Sequence, residues 1–272
     1  MNELETTTKV EEASNCSGME EEVMVEVNLT VSEGKRLIAK GMSAMPLVRE
    51  KMKHGMIILT RGTTNTYLAE ELIDFHKPHG AFLTGHFVPE GKEKVGLHLT
   101  DKETEIILVD GKQIALSYAE ALDLLKEGDL VIKGGNLLNY SMQKAAVCIG
   151  APNGGTVYKF LPYVGKGKAQ LIVPIGLEKD SSFNLSDIES KLQEDRAKLS
   201  FLPKVYVYGD CILYTEIEAI KQFGNVKVYP NGIGGVSGRE GGVSLVVVGR
   251  RNEVEKVRMV VRSLQGEKAF HE

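Results

Sequence analysis

Short apolar runs alternate with longer segments of helical periodicity along most of the chain. The first helical pattern is "EGKRLIAKGMSAM", and Ser32 ahead of it reads as its N-cap. Pro46 opens a second short helix, "PLVREKMKH", and Gly55 is placed to end it. "MIIL" (56–59) then reads as a buried strand and "YLAEELIDF" as a helix. Strand patterns follow at "AFLTGHFV", "IILV" and "QIAL", and "SYAEALDLLKEG" is a helix with a serine start and a glycine stop. "LVIK" (130–133), "AVCIG" (146–150) and "QLIVPI" (170–175) are short, apolar and rich in β-branched residues. Helices separate several of these strands. That order predicts an α/β fold, with a mostly parallel sheet and helices on both faces.

The pattern changes after about residue 180. "SSFNLSDIESKLQEDRAKL" is a polar, helical connector. Beyond it come "KVYVYG" (strand), "YTEIEAIKQFG" (helix), "NVKVYP" and "GGVSLVVVG" (strands) and "NEVEKVRMVVRSL" (helix). This β-α-β-β-α order predicts a smaller α+β ferredoxin-like module. The expected organisation is an acidic mobile tail over 1–25, an α/β ligand-binding domain over 26–199 and the ferredoxin-like module over 200–272. No internal period recurs, so a repeat architecture is excluded.

Composition narrows the class. The chain has 272 residues, 42% of them hydrophobic, which suits one large domain or two smaller ones. It contains no 18-residue apolar run, and its N-terminus is acidic where a secretory signal is basic and then apolar. Cys16, Cys148 and Cys211 lie far apart with no CxxC spacing, which argues against a disulfide framework or a structural zinc site. A cytoplasmic protein is expected. The net charge is −4; residues 1–22 carry −6 through seven Glu and one Lys, leaving +2 on the rest. Such a body has no dense basic face for nucleic acid.

Candidate chemistry concentrates at three joins. After "MIIL" comes Thr60-Arg61-Gly62-Thr63-Thr64-Asn65-Thr66, leading straight into a helix. A helix start offers free N–H groups and partial positive charge, glycine lets a ligand approach, and Arg61 can fork onto a phosphate or carboxylate. The competing explanation is a capped turn whose hydroxyls serve only the helix start. "LVIK" runs into Gly134, Gly135 and Asn136, and "AVCIG" leads through Asn153 to Gly154, Gly155 and Thr156. Three such strand ends on one sheet predict a site for an anionic, phosphorylated small molecule.

"ILTRGTTNTYLAEEL" resembles the strand, Gly/Thr/Ser loop and helix near the start of ribose-5-phosphate isomerase, and "DLVIKGGN" resembles that enzyme's strand before Lys-Gly-Gly-Gly. The wider superfamily includes glucosamine-6-phosphate deaminase and the CoA transferases, and the resemblance spans residues 32–180. It implies a parallel-sheet fold in which Gly62, Thr63 and Thr64 hold phosphate and Lys133 contacts substrate. The chain also departs from the pattern. "LLNYSMQK" stands where the isomerase has an Arg-Glu-Lys segment with a catalytic carboxylate, and "VDGK" offers only Asp110 in place of paired aspartates. Asp129 would lie about 13 Å from Lys133 along an extended strand. No glutamate stands out as a CoA-transferase nucleophile. These departures argue against ribose-5-phosphate isomerisation itself.

The expected catalytic residues are therefore Lys133 and Asp110. Arg61, Gly62, Thr63, Thr64, Asn65, Gly134, Gly135, Asn136, Gly154, Gly155 and Thr156 are the expected ligand-binding set. His76, His79 and His86 cluster near Asp74, but their spacing fits no zinc motif and Pro78 breaks any helical face, so no metal is expected. His86 and His98 could border the cleft on a lid formed by residues 77–96. "PNGIGGVSGREGG" (230–242) reads either as a flexible hairpin or as a second ligand loop or interface. The function expected is an enzyme acting on a phosphorylated sugar or CoA-type ester. The alternative is a non-catalytic metabolite sensor that keeps the anion-binding loops. We expect an anionic small-molecule partner and a homo-oligomer, with no cofactor, nucleic acid or membrane.

Overall fold

The structure is a computed structural model that describes residues 21–85, 87, 104–194 and 203–270. It begins with a strand, β1 (Glu22–Leu29), in which Val23, Val25, Val27 and Leu29 turn inward while Met24, Glu26 and Asn28 are exposed. The helix α1 (Val31–Ala44) is capped by Thr30, whose hydroxyl accepts from Glu33 N–H while the Glu33 carboxylate accepts from Thr30 N–H. The cap lies two residues before the expected Ser32. α2 (Pro46–Lys53) starts at its proline. β2 (Met56–Leu59) is entirely buried, and α3 (Thr63–Leu72) follows at once.

The segment "AFLTGHFV" does not form the expected strand. Its first residues belong to a 3-10 turn, His79–Phe82, that buries Ala81 and Phe82. Next come β3 (Ile106–Val109), β4 (Lys112–Gln113), α4 (Tyr118–Asp123), β5 (Leu130–Ile132), β6 (Leu137–Asn139), β7 (Lys144–Ile149) and α5 (Gly155–Phe160). Only Gln113 of "QIAL" lies in a strand. The chain continues through β8 (Gln170–Pro174), α6 (Leu185–Glu194), β9 (Lys204–Val207), β10 (Ile212–Tyr214), α7 (Glu216–Phe223), β11 (Val226–Ile233), β12 (Val243–Arg250) and α8 (Arg251–Leu264).

The central sheet is mixed and has the order β10-β8-β5-β2-β3-β4. β10, β8, β5 and β2 run parallel; β3 and β4 run antiparallel to their neighbours. Strands buried on both faces read as unbroken apolar runs, which is why Ile57, Ile58, Leu59, Val131, Ile132, Ile172 and Val173 carry no alternation. One continuous core joins this sheet to α1, α3, α7 and α8. Close approach of α1 to α7 depends on Gly41, where a Cβ would lie 2.8 Å from both Ala219 Cα and Cβ.

The elements after residue 200 are distributed over all three sheets and do not form one ferredoxin-like sheet. β9 pairs with β7 in a three-stranded sheet with β6, and β10 extends the central sheet beside β8. β11 and β12 complete an antiparallel sheet with β1. Element order does not specify pairing partners, and β1, which lies partly within the expected 1–25 tail, supplies the neighbour that β12 takes. β7 likewise leaves the main sheet, so the third glycine join does not end a strand of the parallel sheet.

Candidate functional site

The carboxyl ends of β2, β5 and β8 open side by side into a cavity of about 690 Å³. Residues 61–65, 133–136 and 154–156, the ligand-binding candidates of all three joins, line it together. The end of β7, though in another sheet, closes one wall with Cys148 and Ile149.

The first loop divides its polar groups between structure and cavity. Thr60 Oγ1 donates to Ile132 O at 2.9 Å, and Asn65 Nδ2 donates to Thr60 O at 2.7 Å and Ile132 O at 3.0 Å. These bonds pin the end of β2 to the end of β5. Asn65 Oδ1 is buried and has no partner among the described residues. Thr66 Oγ1 donates back to Gly62 O within the helix start. Gly62 N–H is also spent, on Phe82 O at 3.0 Å. α3 has no side-chain cap, and a Cβ at Gly62 would meet nothing within 4 Å. The cradle thus consists of the first-turn N–H groups from Thr63 onward, with the Thr63 and Thr64 hydroxyls and Arg61 beside them.

Lys133 is half-buried in the cavity wall. Its Nζ donates to Arg61 O at 3.2 Å. Burial pushes its pKa down to about 8, with Glu105 opposing and Arg61 adding to the shift. Glu105, 9% exposed, accepts from Arg61 Nε and Thr156 Oγ1, each at 3.3 Å. Sequence reasoning missed this carboxylate and chose Asp110, at the other end of the same strand pattern. Glu105 precedes β3, and the antiparallel register that pairs Leu59 with Ile106 brings it to the carboxyl end of β2. That reversal of direction is not marked by any motif.

The other expected catalytic residue, Asp110, is not in the cavity. It sits in the β3–β4 turn with φ +48° and accepts from Gly55 N–H at 2.8 Å, at the opposite end of β2. The turn geometry, favoured by Asp and Gly, explains "VDGK" without chemistry. Asp129 is at that same end, accepting from Met56 N–H and Lys126 N–H.

The third join is a turn whose glycine N–H groups are committed. Gly154 N–H donates to Ala151 O and Gly155 N–H to Asn153 Oδ1, and both glycines hold positive φ of 83° and 54°. A Cβ on Gly154 would fall 2.0 Å from the Tyr158 ring. In the second join, Asn136 Oδ1 accepts from Cys148 N–H and Asn136 N–H donates to Ala146 O, so this residue holds the β6–β7 hairpin. Gly135 has no room for a side chain, since a Cβ would meet Ile175 Cδ1 at 2.9 Å.

Lys35 from α1 and Lys179 after β8 also line the cavity, and neither was singled out from sequence. Lys179 Nζ donates to Gly135 O at 3.1 Å and lies 3.8 Å from Glu178 Oε1. Burial, with Lys179 nearby, pushes the Lys35 pKa down to about 8. Behind them Glu216, 2% exposed, accepts from Leu177 N–H at 2.9 Å. Burial and the like charge of Glu178 push its carboxyl up to about 8.

The histidines have other roles. His79 bridges Glu70 and Phe270 O, while His76 pairs with Asp74 in the open. His86 and His98, and half of the expected lid, lie outside the described residues. Among the described residues no group of three His, Cys, Asp or Glu side chains could hold a metal ion. The loop 230–242 closes through Gly234 N–H to Gly242 O and Arg239 Nη2 to Ser244 Oγ and contributes nothing to the cavity wall. No helix among the described residues is long and apolar enough to cross a membrane. Comparisons of the chain with protein-family models, with curated proteins and with solved structures found no match.

Proposed function

We propose that this cavity binds a phosphorylated sugar or CoA-type anionic small molecule and transforms it. Charge is the observation that carries the reading. Lys35, Arg61, Lys133 and Lys179 all line the cavity, and among the described residues none that lines it is a carboxylate. Four cations line the cavity against two nearby carboxylates, Glu105 on Arg61 and Glu178 on Lys179, so the surplus favours an anionic occupant, and charge-assisted bonds are the stronger kind. The size supports the same reading, as small-molecule sites run to roughly 300–1,000 Å³. A phosphate would be taken by the first-turn N–H groups of α3, Arg61 and Lys133.

For transformation, Lys133 and Glu105 are the groups to move protons. A lysine whose pKa is near 8 is close to the range where general acid–base work is efficient, and the Glu105 carboxylate faces it across Arg61. A binding-only regulatory protein is the second reading, favoured by the engagement of Glu105 with Arg61 and Thr156. A thermal-shift screen with inorganic phosphate, phosphosugars and CoA esters tests the shared claim, and following each stabilising compound by NMR separates the two readings. New product signals support the enzyme, and stabilisation without turnover supports the sensor. Failure of every phosphate-bearing compound to raise the melting temperature would overturn both.

A further inference from the structure

The cations in the cavity fall into two pairs, Arg61 with Lys133 and Lys35 with Lys179. Arg61 follows β2 and Lys133 follows β5; Lys133 Nζ donates to Arg61 O. Lys179 follows β8 and donates to Gly135 O, and Lys35 reaches the same end from α1. β2, β5 and β8 are consecutive neighbours in the sheet. The first pair therefore belongs to the β2–β5 side of the cavity and the second to the β8–α1 side.

Each pair has its own carboxylates, set behind the cavity wall. Glu105 serves the first pair and Glu178 with Glu216 the second. The second pair is not a closed set of salt bridges. Among the described residues no carboxylate comes within ion-pair distance of Lys35, whose Nζ instead lies 5.9 Å from the Phe270 ring. Glu178 Oε1 lies 3.8 Å from Lys179 Nζ, and neither Glu178 nor Glu216 lines the cavity, whereas both lysines do. The two half-buried lysines form a positive end distinct from the phosphate cradle, and Lys179 disfavours the charge on Lys35.

We infer that the cavity takes a ligand with an anionic group at each end: a sugar phosphate or sugar-acid phosphate whose second phosphate or carboxylate is read by Lys35 and Lys179. This rests on the phosphate-binding reading of the cavity and narrows it to a doubly anionic substrate class. The Arg61–Lys133 end takes one group, and the chain between the two groups lies along Gly134 and Gly135.

Calorimetric titration of the full chain at one fixed ionic strength tests the inference. Inorganic phosphate, ribose 5-phosphate, ribulose 1,5-bisphosphate and 6-phosphogluconate serve as probes. The doubly anionic probes should bind at least tenfold more tightly than ribose 5-phosphate. In the Lys35→Gln/Lys179→Gln double variant that difference should collapse to about twofold. Equal affinities for the singly and doubly anionic probes in the wild type would overturn the inference and leave the phosphate reading standing. A preference that survives in the double variant would also overturn it. Binding of no phosphate-bearing probe would instead defeat the proposed function itself. The wild-type comparison decides the matter even if the double variant fails to fold, and single Lys35→Gln supplies a milder second variant.

Discussion

Replacing Glu216 with glutamine should make the protein more stable at pH 8 and leave it nearly unchanged at pH 4–5. Glu216 is 2% exposed at the first position of α7, and burial outweighs the Leu177 N–H bond that favours its charged form. An unfolded glutamate titrates near 4.3. Its folded value is raised, so its contribution to stability is complete below about pH 4.3 and is lost as the pH climbs toward 8. Each pH unit in that window costs about 1.4 kcal/mol, which sets an upper bound of about 4 kcal/mol at pH 7. Local relaxation and the nearby lysines reduce the bound, and about 2 kcal/mol is the expected gain. Glutamine keeps an oxygen for Leu177 N–H and has no charge to bury. In a chain of this size the gain corresponds to a rise in melting temperature of about 4–8 °C at pH 8. Lys35 and Lys133 act with the opposite sign. Their folded values are lowered to about 8, so their cost is complete below that pH and is relieved toward about 10.4. The wild-type stability curve should therefore dip near pH 8, and the variant should lack the descending limb. The assay is urea unfolding across pH 5–10. A variant no more stable than wild type at pH 8 would mean that the fold accommodates an ionised Glu216 without cost, and the burial argument would be refuted.

Three further outcomes are expected. Lys133→Met should cost a phosphate-bearing ligand at least tenfold in affinity, about 1.5–3 kcal/mol, while raising thermal stability at neutral pH because a disfavoured buried charge is removed; calorimetry and a melting curve check it, and unchanged affinity would refute it. Gly41→Ala should lower the melting temperature, since the helix-propensity gain of about 1 kcal/mol is outweighed by overpacking against Ala219, which costs about 1–3 kcal/mol; a higher melting temperature would refute the tight α1–α7 crossing. The fragment 200–272, expressed alone, should show no cooperative melting by circular dichroism, because β10 needs β8 and β12 needs β1; a cooperative transition would restore the independent module.

What could be read from sequence, and what could not, follows from how far each signal reaches along the chain. Periodicity and caps are local, so the helices α2, α4 and α8 and the buried strands β2, β3, β5 and β8 were visible in the pattern. Glycine joins after β2 and β5 are local too, and the rule that parallel strands present their carboxyl ends together converts them into one cavity. Pairing is not local. Whether "IILV" runs with or against "MIIL" leaves its apolar pattern unchanged, yet the antiparallel choice alone brings Glu105 beside Lys133 and leaves Asp110 at the far end. The alternation of Val23, Val25, Val27 and Leu29 was a readable strand signal that the acidic residues before it obscured, and without β1 the last two strands appeared to need partners from their own neighbourhood. Lys35 is the hardest case. In "EGKRLIAKG" it looks like a solvated helix residue, and it becomes a cavity residue only because Gly34 and Gly41 let α7 come close and place Glu216 behind it. Residues that hold a ligand by charge are ordinary surface types until the fold encloses them, so a polar site divided between α1, β5 and β8 leaves its glycines legible and its lysines anonymous.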